Sequence, residues 1–368
     1  MTKNILIVTQ EFPPLPGGIG NHAYHLANQL YLNGYIITVI TEKRSNSDAQ
    51  WEDFVKSNPN ISIIGVKRYK PLLVTYLLRV LIYLYLSIKL KPTVVFSGKF
   101  PVWMAAIPLK CKKLTVIHGS EIKQHGIWKW LFQKGLNQSD SVISVSKFTQ
   151  RKMLELYHVP ENRLCVINNG FGEMVSSEEI DKSKFNPNEP KFITVGGMHK
   201  RKGQHNFIRV LPALLKKYPN ATYTICGLPV EKSELMQQCK LLGVEHAVKF
   251  YDAPSNEEVK RLVLSSDMFV MLSENLENGD FEGFGIAIIE AMSLGLPSIG
   301  SLNTGIEDAI SPGISGELVD ASNNEQIINA IDKVFLFNYS EWSDNAVAWA
   351  NKFQWKDIVN AYIDRIEN

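Results

Sequence analysis

The chain opens with NILIVT at residues 4–9 and continues with QEFPPLPGGIG at residues 10–20. The first stretch is apolar enough for a buried strand, whereas the prolines of the second exclude a strand and its glycines allow tight turns. A helix is predicted at residues 21–32, ended by Asn33-Gly34, and a second strand at residues 36–40. Strand, loop, helix and strand in this order form the unit of a doubly wound parallel sheet.

The same pattern starts again halfway along the chain. Residues 191–195, KFITV, predict a strand, and the glycine-bearing, basic loop GGMHKRKGQ follows at residues 196–204. Between the two copies, residues 171–190 are polar and acidic and end in NPNEP, which is typical of an interdomain linker. The sequence therefore predicts two similar α/β domains, at residues 1–185 and 186–345.

Charge is divided unevenly, although the net charge of the 368 residues is only +2. Residues 1–185 carry +10 and residues 186–368 carry −8. No acid occurs between residues 54 and 120, a span with eleven Lys or Arg. This span is either a solvated basic face or a surface for anionic lipid or a pyrophosphate-bearing acceptor, and we favour the second interpretation. We expect no nucleic acid partner, because no binding motif for one accompanies the charge.

Residues 71–90 are almost wholly apolar and long enough to span a membrane. Arg79 in their middle argues against a span, and so does the strand predicted at residues 93–96, which makes 71–90 the crossover helix of a βαβ unit. The helix is either buried against the sheet or rests on a membrane through an exposed apolar face with basic flanks. Both interpretations can hold for different sides of one helix.

The four cysteines and the N-terminus bear on the compartment. The cysteines are scattered, without a C-x-x-C pair that would suggest zinc or a dense framework that would suggest secretion. The N-terminal strand is too short for a signal peptide. We therefore expect a reduced, cytoplasmic protein.

Two acids stand out in EGFGIAIIEAMSLGLP, residues 282–297. If helical geometry extends back to Glu282, its carboxylate and that of Glu290 lie about 12 Å apart and nearly in line, which suits a ligand held at both ends. Gly283 and Gly285 let the backbone approach a ligand, and free amides at a helix start favour a leaving phosphate. An ordinary amphipathic helix would give the same spacing, but an acid in an apolar run is costly to bury without a partner.

This stretch closely resembles the nucleotide-sugar motif of the retaining group 1 glycosyltransferases, also called family four. The Pro-Gly loop at 10–20, the strand end His118-Gly119-Ser120-Glu121, Asn169-Gly170 and the loop Arg201-Lys202-Gly203 are similar to other segments of that family. The resemblance covers nearly the whole chain. It implies a GT-B fold: two doubly wound, Rossmann-like parallel-sheet domains with an interdomain cleft, and a last helix, residues 346–368, that crosses back onto the first domain.

The resemblance also implies site residues. Donor-binding residues are expected at Gly18, Gly20, Arg201, Lys202, Glu282, Gly283, Phe284, Gly285 and Glu290. Acceptor-binding residues are expected at Glu11, His118 and Asn169. Three of these, His118, Lys202 and Glu282, are expected to be catalytic: His118 on a sugar hydroxyl, Lys202 on the diphosphate and Glu282 on the donor sugar, while Glu290 binds the ribose. Many members have a further arginine where Gly197 stands here, and Arg201 is the candidate to replace it.

The implied reaction moves a hexosyl or N-acetylhexosaminyl group, with retained configuration, from a nucleotide diphosphate sugar to a glycan or polyprenyl-linked acceptor. Bacterial-type surface polysaccharide, such as lipopolysaccharide or capsule, is the expected product, made at the inner face of the membrane. No Asp-x-Asp pattern is present to hold a metal, so we expect a metal-independent reaction without a cofactor. UDP is slightly favoured over GDP as the donor nucleotide because of the missing arginine.

Two other functions stay open. Residues 18–23 fit the G-x-G-x-x-A dinucleotide pattern, with Glu42 near the end of the second strand, as in an NAD-dependent oxidoreductase. In that pattern, however, the first glycine follows the strand directly, whereas an eight-residue segment intervenes here. The third possibility is a non-catalytic GT-B binding subunit.

Overall fold

The computed structural model describes residues 3–14, 17–43, 47–172, 185–336 and 338–368. Its contacts divide the chain into unit 1, Met1–Gly172 with Trp355–Asn368, and unit 2, Glu173–Gln354. Each unit has one wholly parallel sheet with helical crossovers, which confirms the predicted fold class. Most of the predicted linker lies outside the described residues, because residues 173–184 are not among them.

Unit 1 contains seven parallel strands. They are β1 (Asn4–Thr9), β2 (Ile36–Lys43), β3 (Ser62–Lys67), β4 (Thr93–Ser97), β5 (Lys113–Ile117), β6 (Ser141–Ser144) and β7 (Leu164–Val166). Across the sheet their order is β3-β2-β1-β4-β5-β6-β7. The order reverses between β1 and β4, and ligands of such sheets bind where the loops leave this switch point.

Six helices connect these strands. They are α1 (Gly18–Leu32), α2 (Asp48–Lys56), α3 (Leu72–Leu90), α4 (Lys99–Ala105), α5 (Gly126–Asn137) and α6 (Lys147–Leu154). Helix α1 begins at Gly18, three residues before the predicted start, so its first turn includes the glycines at 18 and 20. The second of them packs tightly, since a Cβ on Gly20 would lie 3.2 Å from the backbone nitrogen of Phe12.

Unit 2 repeats this architecture with six parallel strands. They are β8 (Lys191–Val195), β9 (Thr222–Gly227), β10 (Val248–Asp252), β11 (Met268–Met271), β12 (Ser298–Ser301) and β13 (Gly316–Val319). Their order is β10-β9-β8-β11-β12-β13, so the switch point lies between β8 and β11. This places the loops that follow β8 and β11, at 196–203 and 272–285, side by side.

The helices of unit 2 cover its sheet with apolar faces. They are α7 (Gln204–Lys217), α8 (Lys232–Leu242), α9 (Asn256–Leu264), α10 (Ile286–Ser293), α11 (Asn324–Leu336) and α12 (Tyr339–Ala350). Phe207, Leu211 and Leu214 of α7 recur at helical spacing and are fully buried with Phe192 of β8. Burial of this face fixes the end of the loop that precedes α7.

The last helix, α13 (Trp355–Glu367), belongs to unit 1, where it packs against α1. The hydroxyl of Tyr362 is hydrogen-bonded to Nε2 of His22 at 2.8 Å, and Trp355 is buried. A short 3₁₀ turn at Asn351–Phe353 separates α13 from α12, which belongs to unit 2. The predicted continuous helix at 346–368 is therefore two helices, divided between the units.

Candidate active site

The basic loop of unit 2 is fastened to the end of β11. Gly203 adopts a left-handed conformation, with φ 72°, and a Cβ at this position would overlap the carbonyl of Leu272. The backbone N–H of Glu274 donates to the carbonyl of Arg201 at 2.9 Å. A glycine is thus required where the loop turns into α7, and the resulting close approach brings the basic side chains next to the segment that follows β11.

Four charged side chains of unit 2 form what we call the charge cluster: Arg201, Lys202, Asp280 and Glu282. Nζ of Lys202 lies 2.7 Å from Oε2 of Glu282, and Nη1 of Arg201 donates to the same oxygen. Nε of Arg201 also lies 3.2 Å from Oδ2 of Asp280. The structure therefore brings together Arg201, Lys202 and Glu282, which sequence analysis had assigned separately to the phosphates and the sugar.

The electrostatics of the cluster follow from its burial. The side chains of Glu282 and Lys202 are only 13% and 15% exposed. Burial alone would raise the pKa of Glu282, but attraction to Lys202 and Arg201 outweighs it and lowers the pKa to about 2. The carboxylate is thus ionised at neutral pH, and it holds two cations in fixed positions.

Helix α10 begins later than the spacing argument assumed. Gly285 has φ 86° and precedes the first helical residue, Ile286, so helical geometry does not extend back to Glu282. The separation of about 12 Å predicted between Glu282 and Glu290 required a continuous helix. The premise of that prediction is therefore wrong. A Cβ on Gly285 would lie 2.7 Å from Cγ2 of Ile306, so a neighbouring loop closes the space that a side chain would need.

The remaining predicted donor residues lie around this turn. The ring of Phe284 is buried against Phe353, 5.7 Å between centroids, which leaves only its backbone for a ligand. None of the hydrogen bonds found in the described part of the chain uses the N–H of Phe284 or Gly285 as donor. The backbone carbonyl of Glu282 accepts from the N–H of Gly305 at 3.0 Å, which fixes the turn that contains Gly283.

Glu290 lies on α10 and is half-buried. Burial raises the pKa of its carboxyl, and the charge of Lys202 opposes this only in part. No hydrogen bond or ion pair of this carboxyl is found with another residue in the described ranges. A half-buried carboxyl of this kind has its full hydrogen-bonding capacity left for a ligand.

The corresponding switch point of unit 1 carries the Pro-Gly loop. The N–H of Gln10 donates to the carbonyl of Ser97 at 3.0 Å, which joins the ends of β1 and β4. The carboxylate of Glu11 lies so close to Gly17 that a Cβ there would overlap Oε2. Gly18, by contrast, has open space where a Cβ would be, so nothing in its surroundings requires a glycine.

Three histidines of unit 1, His22, His25 and His118, form what we call the histidine cluster. The rings of His22 and His118 meet edge to face at 4.8 Å, and His25 stacks on Trp355. Nε2 of His118 is hydrogen-bonded to Oγ of Ser97 at 2.8 Å. Burial lowers the pKa of His118 to about 3, and burial together with the neighbouring histidines lowers that of His22. Both rings are neutral at physiological pH.

Glu121 binds the backbone of His118. Its Oε1 accepts the backbone N–H of His118 at 2.6 Å, and the side chain is 1% exposed. Burial raises the pKa of Glu121 to about 7, although backbone hydrogen bonds oppose the rise. Asn169 is also buried, and its Oδ1 has no hydrogen-bond partner among the described residues. The structure shows no hydrogen bond from Asn169 to Glu11 or His118 in those ranges.

Sequence reasoning missed several residues of these sites. Asp280 lies in an acidic segment whose spacing is unremarkable, and Ser97 is an ordinary strand end. His22 was noticed only as part of the dinucleotide pattern, and Glu121 only as part of the segment that begins at His118. Within the described ranges, no three His, Cys, Asp or Glu side chains converge as a metal ion would require.

The two doubly wound units define the GT-B class, and comparison with known proteins identifies the family. A family model described as "Glycosyl transferases group 1" matches residues 175–347, and one described as "Glycosyltransferase Family 4" matches residues 16–171. The chain therefore belongs to the group 1 glycosyltransferases, as the motifs indicated. The NAD-dependent alternative gains no support from these matches.

The chain is similar to two curated glycosyltransferases in sequence and to one solved structure in fold. An uncharacterized glycosyltransferase of Methanocaldococcus jannaschii is 27% identical over 401 aligned positions, 97% of each chain. The amylovoran biosynthesis glycosyltransferase of Erwinia amylovora is 27% identical over 57% of this chain and 52% of its own. The crystal structure of Anabaena HepE in complex with UDP and glucose matches with a TM-score of 0.76 at 19% identity, over 98% of each chain.

Proposed function

We propose that this glycosyltransferase is a retaining, metal-independent enzyme that moves a hexosyl or N-acetylhexosaminyl group from a nucleotide diphosphate sugar. The observation that carries the proposal is the charge cluster: Lys202 and Arg201 are held by Glu282 at the switch point where such sheets bind ligands. Two fixed cations there can neutralise the charge that develops on a departing diphosphate, which is the task a metal ion performs in other enzymes.

The remaining residues of unit 2 fit the other parts of a donor. The free N–H groups of Phe284 and Gly285 suit phosphate oxygens, and the unpartnered carboxyl of Glu290 suits the two hydroxyls of a ribose. UDP is the nucleotide we test first, since the Anabaena structure contains UDP.

The proposed reaction proceeds on one face of the sugar. The bond from the anomeric carbon to the diphosphate oxygen breaks, the acceptor hydroxyl forms a new bond on the same face, and its proton passes to the leaving phosphate. This route needs no side-chain nucleophile, and it retains the configuration. His118 is neutral because its pKa is about 3, so its proposed role is to hold a sugar hydroxyl and not to act as a charged acid.

We place the acceptor on unit 1, with Glu11, His118 and Asn169 as its binding residues. The unpartnered, buried Oδ1 of Asn169 is consistent with a ligand that supplies a hydroxyl donor. We propose a glycan or polyprenyl-linked acceptor in surface polysaccharide assembly, and the Erwinia amylovora relative, which is named for amylovoran biosynthesis, supports a biosynthetic role. We further propose that the protein works in the cytoplasm at the inner face of the membrane.

The test compares binding of UDP with turnover of UDP-sugars in three variants. Lys202→Ala removes a cation from the diphosphate and is expected to reduce turnover about 100-fold or more. Glu282→Gln frees both cations from their carboxylate, so it should bind UDP at least as tightly as wild type while losing turnover. Lys200→Ala, which removes an exposed lysine of the same loop, is the matched control and should behave as wild type.

Two results would contradict the proposal. Near-normal turnover in Lys202→Ala would show that the diphosphate binds elsewhere. Equal loss of UDP binding in Lys200→Ala and Lys202→Ala would show that the total positive charge of the loop, and not a specific contact of Lys202, attracts the nucleotide. Calorimetric titration with a panel of UDP-, GDP-, ADP- and dTDP-sugars identifies the donor, and hydrolysis of that donor without acceptor separates an enzyme from a binding subunit.

A further inference from the structure

Helix α3 has its polar side buried and its apolar side exposed. Its fully or nearly buried stripe consists of Thr75, Arg79, Tyr83 and Ser87, at intervals of four residues. The opposite stripe is between 54% and 71% exposed and consists of Leu73, Leu77, Leu81, Tyr85 and Ile88. A helix on the surface of a globular protein normally has the reverse arrangement. In the described part of the chain, α3 is also the one helix long and apolar enough to cross a membrane.

Specific contacts fix this orientation. Nη2 of Arg79 donates to the carbonyl of Thr9 at the end of β1 at 2.5 Å, and its guanidinium lies 5.0 Å from the ring centre of Phe100. Oγ1 of Thr75 accepts the backbone N–H of Tyr69 at 2.8 Å. Rotation of α3 to hide its leucines would leave these buried polar groups without partners, which costs the desolvation free energy of each group. The leucines therefore stay outside.

The apolar stripe continues onto α5. Helices α3, α4 and α5 each connect two strands of unit 1, and all three connections run in the same direction across the sheet. Because crossovers between parallel strands are right-handed, the three helices lie on the same face of the sheet. Stacked rings bridge the helices, Tyr76 on Phe100 at 4.2 Å and Trp103 on Trp128 at 4.3 Å. The exposed end of this path on α5 consists of Ile127, Trp128 and Trp130, which are 48–65% exposed. We call these residues, with the exposed stripe of α3, the outer apolar surface.

The sequence span that carries the outer apolar surface is basic. From residue 54 to residue 139 the sequence contains a single acid, Glu121, and it is buried. Lysines accompany the exposed rings: Lys89 lies 5.5 Å from the ring centre of Tyr85, and Lys134 lies 5.1 Å from that of Trp130. A second copy of this surface would bring like charges together, which disfavours self-association. Tryptophan, tyrosine and leucine among lysines are instead the chemistry of a bilayer interface with anionic headgroups.

We infer that the outer apolar surface docks unit 1 on a bilayer that contains anionic lipid, with α3 lying in the plane of the interface. Leu77, Leu81 and Trp130 enter the region between headgroups and acyl chains, and the lysines contact the headgroups. This inference extends the proposed location of the enzyme at the membrane. It rests on the outer apolar surface and not on the proposed donor chemistry. Because Arg79 joins α3 to the carbonyl of Thr9, docking through α3 also fixes the end of β1 relative to the bilayer.

The experiment is flotation of the full chain with vesicles of phosphatidylcholine, with or without phosphatidylglycerol. Wild type should float only with the mixed vesicles, and added salt should weaken its binding. Leu77→Glu with Leu81→Glu should reduce binding about ten-fold or more, since two apolar side chains no longer leave water. The control is Leu241→Glu, which places the same charge at a residue of unit 2 that is 79% exposed and should leave binding unchanged.

Trp130→Ala, quenching by brominated lipid and nucleotide-sugar hydrolysis give independent tests of lipid binding and folding. Trp130→Ala should weaken binding and reduce the quenching of protein fluorescence by brominated lipid, even if the double glutamate variant fails to fold. The rate of nucleotide-sugar hydrolysis should be equal in wild type and Leu77→Glu. Hydrolysis therefore tests the proposed donor site, whereas flotation tests lipid binding, and the two results can be told apart. Equal flotation of wild type and Leu77→Glu/Leu81→Glu would overturn the inference. So would a dimer, seen by light scattering, that the double variant dissociates.

Discussion

Replacing Glu282 by glutamine tests whether charge, and not packing, holds the charge cluster together. Glutamine has the same size and can accept a hydrogen bond, but it cannot ionise. The side chain is 13% exposed and its Oε2 lies 2.7 Å from Nζ of Lys202, so little solvent screens the interaction. Loss of the negative charge should therefore reduce the stability of unit 2, and the reduction should depend on pH.

The size of the effect follows from the pKa of Glu282, which falls from its ordinary 4.5 to about 2 in the folded protein. A difference of about 2.5 in pKa corresponds to about 3 kcal/mol. Because the folded pKa is the lower one, this stabilisation is present in full above the unfolded pKa and is lost as the pH falls towards 2. Glu282→Gln should therefore be less stable than wild type by about 3 kcal/mol near pH 7, but by only about 1 kcal/mol near pH 3.

The assay is urea unfolding at a series of pH values, followed by tryptophan fluorescence and circular dichroism. Only the transition of unit 2, which contains Trp342 and Trp349, should shift. Glu189→Gln, at an exposed acid of unit 2 outside any helix, is the control and should leave the transition in place at every pH. A difference in the free energy of unfolding between Glu282→Gln and wild type that stays constant from neutral to acid pH would refute the electrostatic reasoning.

Two other predictions concern unit 1. Glu121→Gln should be more stable than wild type above about pH 7, by up to about 3 kcal/mol, because burial raises the pKa of Glu121 to about 7 and its charged form opposes folding as the pH rises from about 4.5. Urea unfolding across that range measures it, and identical pH profiles would exclude it. Tyr362→Phe should cost about 1–3 kcal/mol, since it leaves Nε2 of buried His22 without its 2.8 Å partner. Thermal melts measure this loss, with Tyr31→Phe, at an exposed ring on α1, as the control.

Local sequence patterns were sufficient for strands such as β1, β2, β4 and β8 and for the parallel, doubly wound arrangement, but β3 and β13 were not predicted. Short apolar runs followed by glycine-bearing loops marked β1 and β8, and the helical crossovers between strands predicted parallel sheets. The resemblance of the segments at 118–121 and 201–203 to those of the group 1 glycosyltransferases pointed to His118 and Lys202. These features are local because a strand and its following turn occupy fewer than about ten residues.

Contacts across long stretches of chain could not be predicted in this way. Lys202 and Glu282 are eighty positions apart, and only the folded sheet, with β8 beside β11, brings their side chains together. The separation of Glu282 and Glu290 could not be derived from helical spacing, because periodicity cannot reveal the left-handed conformation of Gly285. For α3, composition predicted the helix, but only the partners of Thr75 and Arg79 show which side faces inward.

The two units use one topology for opposite electrostatic purposes. In unit 1 the switch point holds neutral histidines, and hydrogen bonding is what it can offer to an uncharged sugar hydroxyl. In unit 2 the corresponding place holds two cations, which would be costly to bury alone. Glu282 supplies the counter-charge that offsets this cost. If a diphosphate binds there as proposed, it would replace Glu282 as the counter-charge and free the carboxylate for the sugar, so that binding of the phosphates would complete the proposed site.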